Sequence, residues 1–230
     1  MLVRDWMAHN PLVVTPATSV AEALWTMGQH RVRHLPVVQD GELVGIVTQS
    51  DLLQASPSSN TSLSAWERSF LLSKMQVGQV MTSKVIVVDE ECPLEEAALV
   101  MAEHRIGCLP VVRGRRLAGI LTETDLFNVL TEQLGARHSG VRLTLAIRDT
   151  RGELSRMAAR IAGVGGNIIR LTTLPARDPA YQVVTLRVRD AEAAALVEAL
   201  SGDGIDILDV RETPAWGTEG FAPHYWRVEG

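Results

Sequence analysis

The feature that most constrains this chain is an internal repeat. Adding 74 to a residue number aligns residues 3–53 with residues 77–127 without a gap, and 19 of the 51 aligned pairs are identical. Unrelated segments of ordinary composition would share only a handful of matches, so the chain contains a duplicated unit of about 50 residues. Any fold for this region must therefore be built from two similar halves.

The first half of each copy predicts a short strand and a helix. In the first copy an apolar run at 13–14 is followed by Ser19, a suitable helix N-cap. Val20, Leu24 and Met27 then recur at the i, i+4 and i+7 spacing of a helix.

The second half of each copy predicts a hairpin and a short helix. Apolar runs at 35–38 and 43–47 are separated by Gln-Asp-Gly-Glu at 39–42, which is typical of a hairpin turn. A short helix is predicted to begin at Ser50 and Asp51, which gives each copy the order β-α-β-β-α. One copy is too small to bury both faces of its sheet, so we expect the two copies to pack sheet against sheet.

The most similar stretch of the repeat is the exit from the last strand into the last helix. It reads Gly-Ile-Val-Thr-Gln-Ser-Asp-Leu at 45–52 and Gly-Ile-Leu-Thr-Glu-Thr-Asp-Leu at 119–126. Together with the Leu-Pro-Val-Val strands at 35–38 and 109–112, these exits resemble those of a pair of CBS domains. The resemblance implies a Bateman module, a flat pseudo-twofold disc with two clefts that commonly bind adenine nucleotides.

In such modules the Thr of the exit contacts phosphate and the Asp holds the ribose hydroxyls. The resemblance therefore implies nucleotide contacts at Thr48 and Asp51 in the first copy and at Thr122 and Asp125 in the second. The chemistry is suitable, because a carboxylate accepts hydroxyl protons, and a Thr hydroxyl with the N–H groups of a helix start suits a phosphate. Helix capping by Thr and Asp explains the same residues, so both interpretations stay open.

The two copies differ where phosphates are expected. Relatives often carry a basic pair at the start of the second strand, which Arg33 and His34 supply in the first copy, whereas Gly107 and Cys108 stand at the equivalent positions. Glu123 adds a negative charge beside Thr122. We therefore expect unequal sites, with the anion held by Arg33 and His34. The alternative is a surface arginine and a histidine whose partners lie within the strand.

Between the copies, residues 56–76 predict a loop followed by an amphipathic helix. Ser64 and Glu67 have the spacing of a capping box, and Trp66, Phe70 and Leu71 follow at helical spacing. We expect this helix to pad the module or to contact a second subunit. A lid over the ligand is the alternative.

The pattern changes near Ser139, where a second fold begins. Val141, Leu143, Leu145 and Ile147 alternate with less apolar residues, and the elements that follow predict the ferredoxin-like order β-α-β-β-α-β. The turn Asp149-x-x-Gly152-x-Leu154, with Asn167 after a Gly-rich helix end, resembles an ACT domain.

The ACT resemblance implies edge-to-edge pairing and, in many such domains, a bound amino acid near the first strand-to-helix turn. The candidate effector-binding residues are Asp149, Gly152, Leu154 and Asn167. A tight turn without a ligand is the alternative interpretation. The final segment carries aromatic residues that predict docking on the body or on a second subunit: Trp216, Phe221, Tyr225 and Trp226.

The predicted fold class is α+β, a CBS-domain pair followed by a ferredoxin-like ACT domain. The domains are placed at 1–55 (first CBS), 56–76 (linker with helix), 77–135 (second CBS), 139–213 (ACT) and 214–230 (aromatic tail). This architecture resembles proteins related to the bacterial acetoin-utilisation regulatory (AcuB-like) family.

Composition and motifs narrow the function. A net charge of -5 without a basic stripe argues against nucleic acid as a partner. The chain begins without a signal-peptide pattern, has two isolated cysteines and no long apolar run, so we expect a cytoplasmic protein that does not bind membranes. It has no P-loop, nucleophile elbow or metal-ligand cluster, so we expect no catalytic residues, no metal and no catalytic cofactor.

These observations predict a non-catalytic regulatory protein. It is expected to bind an adenine nucleotide of the AMP or ATP type in its CBS clefts and to form a homodimer through its ACT domain. An amino-acid-like second effector and a regulated partner protein are further expectations. The alternative is a ligand-free dimeric scaffold that regulates a partner protein.

Overall fold

A computed structural model of the chain describes residues 1–56, 64–202 and 204–214. The chain divides into two compact units, Met1–Leu126 and Phe127–Gly230. The division falls inside the helix Glu123–Gln133. The predicted aromatic tail lies outside the described residues.

The first unit contains both copies of the repeat, and each copy has the predicted order of elements. The strands are β1 (Ala8–His9), β2 (His34–Gln39), β3 (Glu42–Thr48), β4 (Val88–Asp89), β5 (Cys108–Arg113) and β6 (Arg116–Thr122). The helices are α1 (Val20–His30), α2 (Gln49–Ala55), α3 (Ala65–Lys74), α4 (Leu94–His104) and α5 (Glu123–Gln133).

The start of α2 differs slightly from the prediction. The helix begins at Gln49, one residue before Ser50, because the Thr48 side chain accepts the backbone N–H of Asp51 and acts as the N-cap. Ser19 caps α1 as predicted, by accepting the N–H of Glu22.

The two copies join through one sheet in the order β2-β3-β6-β5-β4, with β1 paired to β6. The central strands β3 and β6 pair at a single position, Glu42 with Arg116. The two halves are therefore linked at this pair.

The copies also exchange their leading segments. Ala8, from the start of the first copy, pairs with Ile120 in the last strand of the second. The equivalent residue Thr82 forms a bridge to Ile46 in the last strand of the first copy. Each copy therefore completes the sheet of the other, which ties the two halves into one unit.

Two glycines permit this exchange. A Cβ at Gly45 would lie 2.5 Å from the Met81 sulfur, and a Cβ at Gly119 would lie 2.5 Å from the Met7 sulfur. Real Cβ atoms do not approach sulfur so closely, so only glycine lets the exchanged methionine cross the strand.

Helix α3 pads the first copy. Leu72 and Met75, at the end of this segment, pack against a core that includes Val20, Met27 and Leu35. The Ser64–Glu67 capping box forms as predicted.

The second unit has the ferredoxin-like topology. Its strands are β7 (Gly140–Arg148), β8 (Asn167–Pro175), β9 (Tyr181–Arg189) and β10 (Ile205–Thr213), and its helices are α6 (Glu153–Gly163) and α7 (Ala193–Leu200). The sheet order is β10-β7-β9-β8, so β8 and β10 are edge strands. The alternating residues of β7 enter the core with Met157 and Ile161 of α6, which confirms the predicted α+β fold.

Two arginines of this sheet hold the segment that precedes it. Arg170 donates to the backbone oxygen of Glu132 at 2.8 Å and pairs with the Glu132 carboxylate. Arg187, which is 4% exposed, donates to the backbone oxygen of His138. These bonds explain why the later part of α5 belongs to the second unit.

Candidate functional site

The first exit turn is a closed hydrogen-bonded pair. The Asp51 Oδ2 accepts the Thr48 backbone N–H at 2.9 Å and the Thr48 hydroxyl at 2.8 Å. In return, the Thr48 Oγ1 accepts the Asp51 N–H at 3.1 Å. The two residues thus form a capping box, which is the structural role that the sequence left open beside nucleotide binding.

The second exit turn repeats this geometry. The Asp125 Oδ2 accepts the Thr122 backbone N–H at 2.8 Å and the Thr122 hydroxyl at 2.6 Å. The reciprocal bond, from the Asp125 N–H to the Thr122 Oγ1, is longer at 3.4 Å. Both predicted Thr–Asp pairs therefore occur, and both cap a helix.

A cavity of about 680 Å³ lies against both turns. Thr48 and Thr122 line it, whereas Asp51 and Asp125, which are hydrogen-bonded to these threonines, are not part of its wall. Its lining consists of the start of β2, the two exit turns and the residues beside them: Arg31, Val32, Arg33, His34, Thr48, Gln49, Ser50, Leu53, Gly107, Ile120, Thr122, Glu123 and Thr124. Its volume is in the range of small-molecule sites.

The basic pair predicted from the sequence lies in this wall. His34 pairs with Thr48 across β2 and β3, and the Arg33 carbonyl accepts the N–H of Gln49 at 2.9 Å. These backbone contacts fix both residues beside the first exit turn. Burial and then the neighbouring Arg33 charge lower the pKa of His34, while the carboxylates of Glu123 and Asp51 oppose that shift. His34 is therefore held as a neutral imidazole near pH 7.

The equivalent wall of the second copy has no basic side chain. Gly107 accepts the Glu123 N–H through its carbonyl at 3.1 Å, and Cys108 pairs with Thr122. Burial, together with the Glu123 carboxylate, raises the pKa of the Cys108 thiol to about 12. The cavity thus has a basic side from the first copy and a neutral to acidic side from the second.

One cavity residue was missed by the sequence interpretation. Arg31 ends α1 in the left-handed conformation, with φ of 54°, and lines the cavity. The equivalent Arg105 has the same conformation but does not line the cavity, so the repeat gave no signal for this role.

The four candidate effector residues of the second unit do not form one site. Asp149 follows β7, Gly152 is the N-cap of α6 with φ of 88°, and Leu154 is in the first turn of that helix. Asn167 begins β8, which pairs with the far end of β9. At about 3.3 Å per residue, Asn167 lies about 25 Å along the sheet from Asp149.

The first turn of α6, beside Gly152, already contains a buried carboxylate. Glu153, in the first turn of α6, is 6% exposed and accepts the Thr150 hydroxyl at 3.1 Å. It also pairs with Arg156. A separate depression of about 590 Å³ lies between Asp149 and the β8–β9 connection, where Tyr181 and Arg177 line it.

The two repeats exchange their leading segments, and their equivalent Thr-x-x-Asp exits border one cavity. This is the arrangement of a CBS-domain pair. The CBS domain family matches residues 3–58 and 77–132, and the TTHA0829-like ACT domain family matches residues 139–211. The chain therefore belongs to the CBS-domain proteins, with a CBS pair followed by an ACT domain. CBS domains are generally regulatory.

The chain is similar to several known proteins. A solved structure of a Vibrio cholerae protein named AcuB, for acetoin utilization, is 32% identical with a TM-score of 0.51, over 59% of this chain and 93% of that one. The structure of CBSX2 in complex with AMP is 35% identical with a TM-score of 0.48, over 57% of this chain and 96% of that one. Inosine-5'-monophosphate dehydrogenase from Staphylococcus haemolyticus is 30% identical over 87% of this chain.

The curated relatives are longer than the matched region. The chain spans 41% of that dehydrogenase, 22% of L-aspartate semialdehyde sulfurtransferase and 45% of the protein MJ1225, both from Methanocaldococcus jannaschii. Within the described residues, no helix is long and apolar enough to cross a membrane.

Proposed function

We propose that this protein is a non-catalytic regulator that binds an adenine nucleotide in the cavity between its two exit turns. The observation that supports this proposal is a cavity of about 680 Å³ whose lining includes two arginines and two threonines: Arg31, Arg33, Thr48 and Thr122. Two guanidinium groups beside hydroxyl groups suit a phosphate. Asp51 and Asp125 stand close behind, where a rearranged turn would present their carboxylates to a ribose.

The hydrogen bonds define what binding must change. Each Thr hydroxyl donates its proton to the neighbouring Asp carboxylate. To donate to a phosphate, the Thr hydroxyl must rotate away from that carboxylate. The freed carboxylate oxygen can then accept a ribose hydroxyl, so that one rearrangement provides both contacts. Regulation requires that the ligand bind one such arrangement better than another.

Calorimetric titration of the purified chain with AMP and ATP tests this function. We expect saturable binding at micromolar to millimolar concentration, weakened at least tenfold by Arg31→Ala. Arg105→Ala is the matched control, since Arg105 has the backbone conformation of Arg31 at the equivalent position but lies outside the cavity lining. Absence of binding in the millimolar range would refute the proposal.

Homodimerisation is a second part of the proposal, supported by the edge of the ACT sheet. β8 is an edge strand, and Leu174 on it is 65% exposed. An edge strand with unpaired backbone groups and an exposed leucine favours pairing with another strand. We expect a dimer by light scattering at micromolar concentration and a monomer after Leu174→Lys, which places a charge on the exposed edge. A wild-type monomer would exclude this role.

A second effector, if the ACT domain binds one, fits the depression beside Asp149 better than the start of α6. The Glu153 carboxylate occupies the helix start, whereas Asp149 and Tyr181 line a depression of about 590 Å³. Asp149 suits the ammonium group of an amino acid. Thermal-shift measurements with the common amino acids, repeated on Asp149→Ala, test this assignment.

The alternative function is a ligand-free dimeric scaffold that regulates a partner protein. The self-satisfied capping boxes favour it, since both exit turns are fully bonded without a ligand. Capture of a partner at unit stoichiometry, together with failed nucleotide titration, would select this alternative. The likeness to the protein named AcuB makes acetoin metabolism the first process in which to seek that partner.

A further inference from the structure

The two exit turns differ in charge at one equivalent position. Gln49 opens α2 in the first copy, and Glu123 opens α5 in the second. Both residues line the same cavity. Of the described residues in that lining, Glu123 alone carries a carboxylate, and the same lining contains the cations Arg31 and Arg33.

Gly107 brings the Glu123 carboxylate toward the basic side of the cavity. The point that a Cβ of Gly107 would occupy lies 3.5 Å from Glu123 Oε2 and 3.6 Å from His34 Nε2. The carboxylate and the imidazole therefore both border the space that a side chain at position 107 would fill. Because glycine leaves this space open, a ligand held by Arg33 and His34 can approach the Glu123 carboxylate.

We propose that Glu123 is a specificity-determining residue that makes the cavity favour adenosine ligands with one phosphate over those with three. The inference rests on the proposed function, since it concerns the charge of the nucleotide that the cavity accepts. One phosphate is neutralised by Arg33 and Arg31. Among the described residues that line the cavity there is no further arginine or lysine for the phosphates beyond the first, and the Glu123 carboxylate would repel them.

The expected discrimination follows from charge. One phosphate group carries about -1.5 to -2 at pH 7, and a triphosphate carries roughly twice that charge. Glu123 is exposed, so water and salt screen its field. We therefore expect a moderate effect, about five- to tenfold in the ratio of AMP to ATP affinity.

The experiment is calorimetric titration of the full chain with AMP and with ATP in EDTA, without Mg²⁺, at low salt. The wild type should bind AMP about tenfold more tightly than ATP. Glu123→Gln, which gives the second turn the residue of the first, should tighten ATP about fivefold and AMP less than twofold. The Glu123→Gln effect on ATP should shrink at high salt and with Mg²⁺, which neutralises part of the phosphate charge.

The double variant Gln49→Glu/Glu123→Gln is the matched control, because it keeps the net charge of the cavity and moves the carboxylate. If the carboxylate repels ATP only from its position beside Gly107, the ATP affinity of the double variant should lie within about threefold of the ATP affinity of Glu123→Gln.

Three outcomes would overturn the inference alone: ATP binding as tightly as AMP in the wild type, an equal effect of Glu123→Gln on both nucleotides, or a double variant that behaves as the wild type. If neither nucleotide binds the wild type, both this inference and the proposed function fail. Thermal unfolding of each variant establishes that it is folded.

Discussion

Asp51 and Thr48 satisfy one another through three hydrogen bonds, two to the Asp51 Oδ2 and one to the Thr48 Oγ1. Asp125 and Thr122 repeat the arrangement. Each pair caps a helix and also holds the groups that a nucleotide would need. A test of these residues must therefore separate folding stability from ligand affinity.

Removal of the Asp51 carboxylate should destabilise the ligand-free protein. Asp51→Ala leaves the Thr48 N–H without its acceptor and should lower the free energy of unfolding by about 0.5–2 kcal/mol. Urea unfolding without nucleotide measures this change. Ser50→Ala is the control, because Ser50 is exposed on the same turn and should change the stability by less than about 0.5 kcal/mol. An unchanged midpoint for Asp51→Ala would show that the capping box contributes nothing.

The asymmetry of the two copies gives a second prediction. Arg33→Gly with His34→Cys copies the second repeat into the first and should weaken AMP binding about tenfold or more, because the phosphate loses its charged donor. Calorimetry measures the affinity. The reverse change, Gly107→Arg, should not weaken binding, since it adds a cation to the same cavity. Equal affinity in the wild type and the double variant would place the anion elsewhere.

The exchange of leading segments gives a third prediction. Gly45→Ala and Gly119→Ala each place a Cβ against a methionine sulfur and a backbone oxygen, and should lower the free energy of unfolding by about 1–3 kcal/mol. Gly28→Ala in α1 is the matched control, because nothing lies within 4 Å of the added Cβ. That variant should stabilise the helix by about 0.5–1 kcal/mol. Urea unfolding of all three variants measures the difference in sign.

Local patterns in the sequence predicted the elements and part of the site. The repeat, the alternation of β7 and the caps at Ser19 and Ser64 lead directly to the observed strands and helices. Arg33 and His34 could be placed at the cavity because the strand that carries them has a fixed pairing with the exit turn. The elements and the position of this basic pair could be predicted because they depend on contacts between residues that are neighbours in sequence or in one hairpin.

Features that depend on distant contacts could not be predicted in this way. The β1 pairing of Ala8 with Ile120 involves a two-residue strand with no periodicity of its own. The entry of Arg31 into the cavity depends on the left-handed turn after α1, which Arg105 shares without the same result. The bond from Arg170 to the backbone oxygen of Glu132 joins residues 38 positions apart and has no signal in the local sequence.

Acidification should destabilise the protein through His34. Burial and the Arg33 charge lower the pKa of His34 in the folded state. The unfolded chain takes up a proton near pH 6.5, so it binds more protons than the folded state between that pH and the lower folded pKa. The free energy of unfolding should therefore fall as the pH drops below about 6.5, and the loss should be complete below the folded pKa.

Urea unfolding from about pH 8 to about pH 5 measures this dependence, with His34→Gln as the test variant. His34→Gln should reduce the slope of stability against pH in this window, because glutamine does not titrate. His104→Gln is the control, since His104 is exposed at the end of α4 and its replacement should leave the wild-type slope. A slope unchanged by His34→Gln would show that this half-buried imidazole is not the group that titrates. AMP should bind more tightly as His34 gains its proton, because the new charge lies beside the phosphate, and this gain should also be absent in His34→Gln.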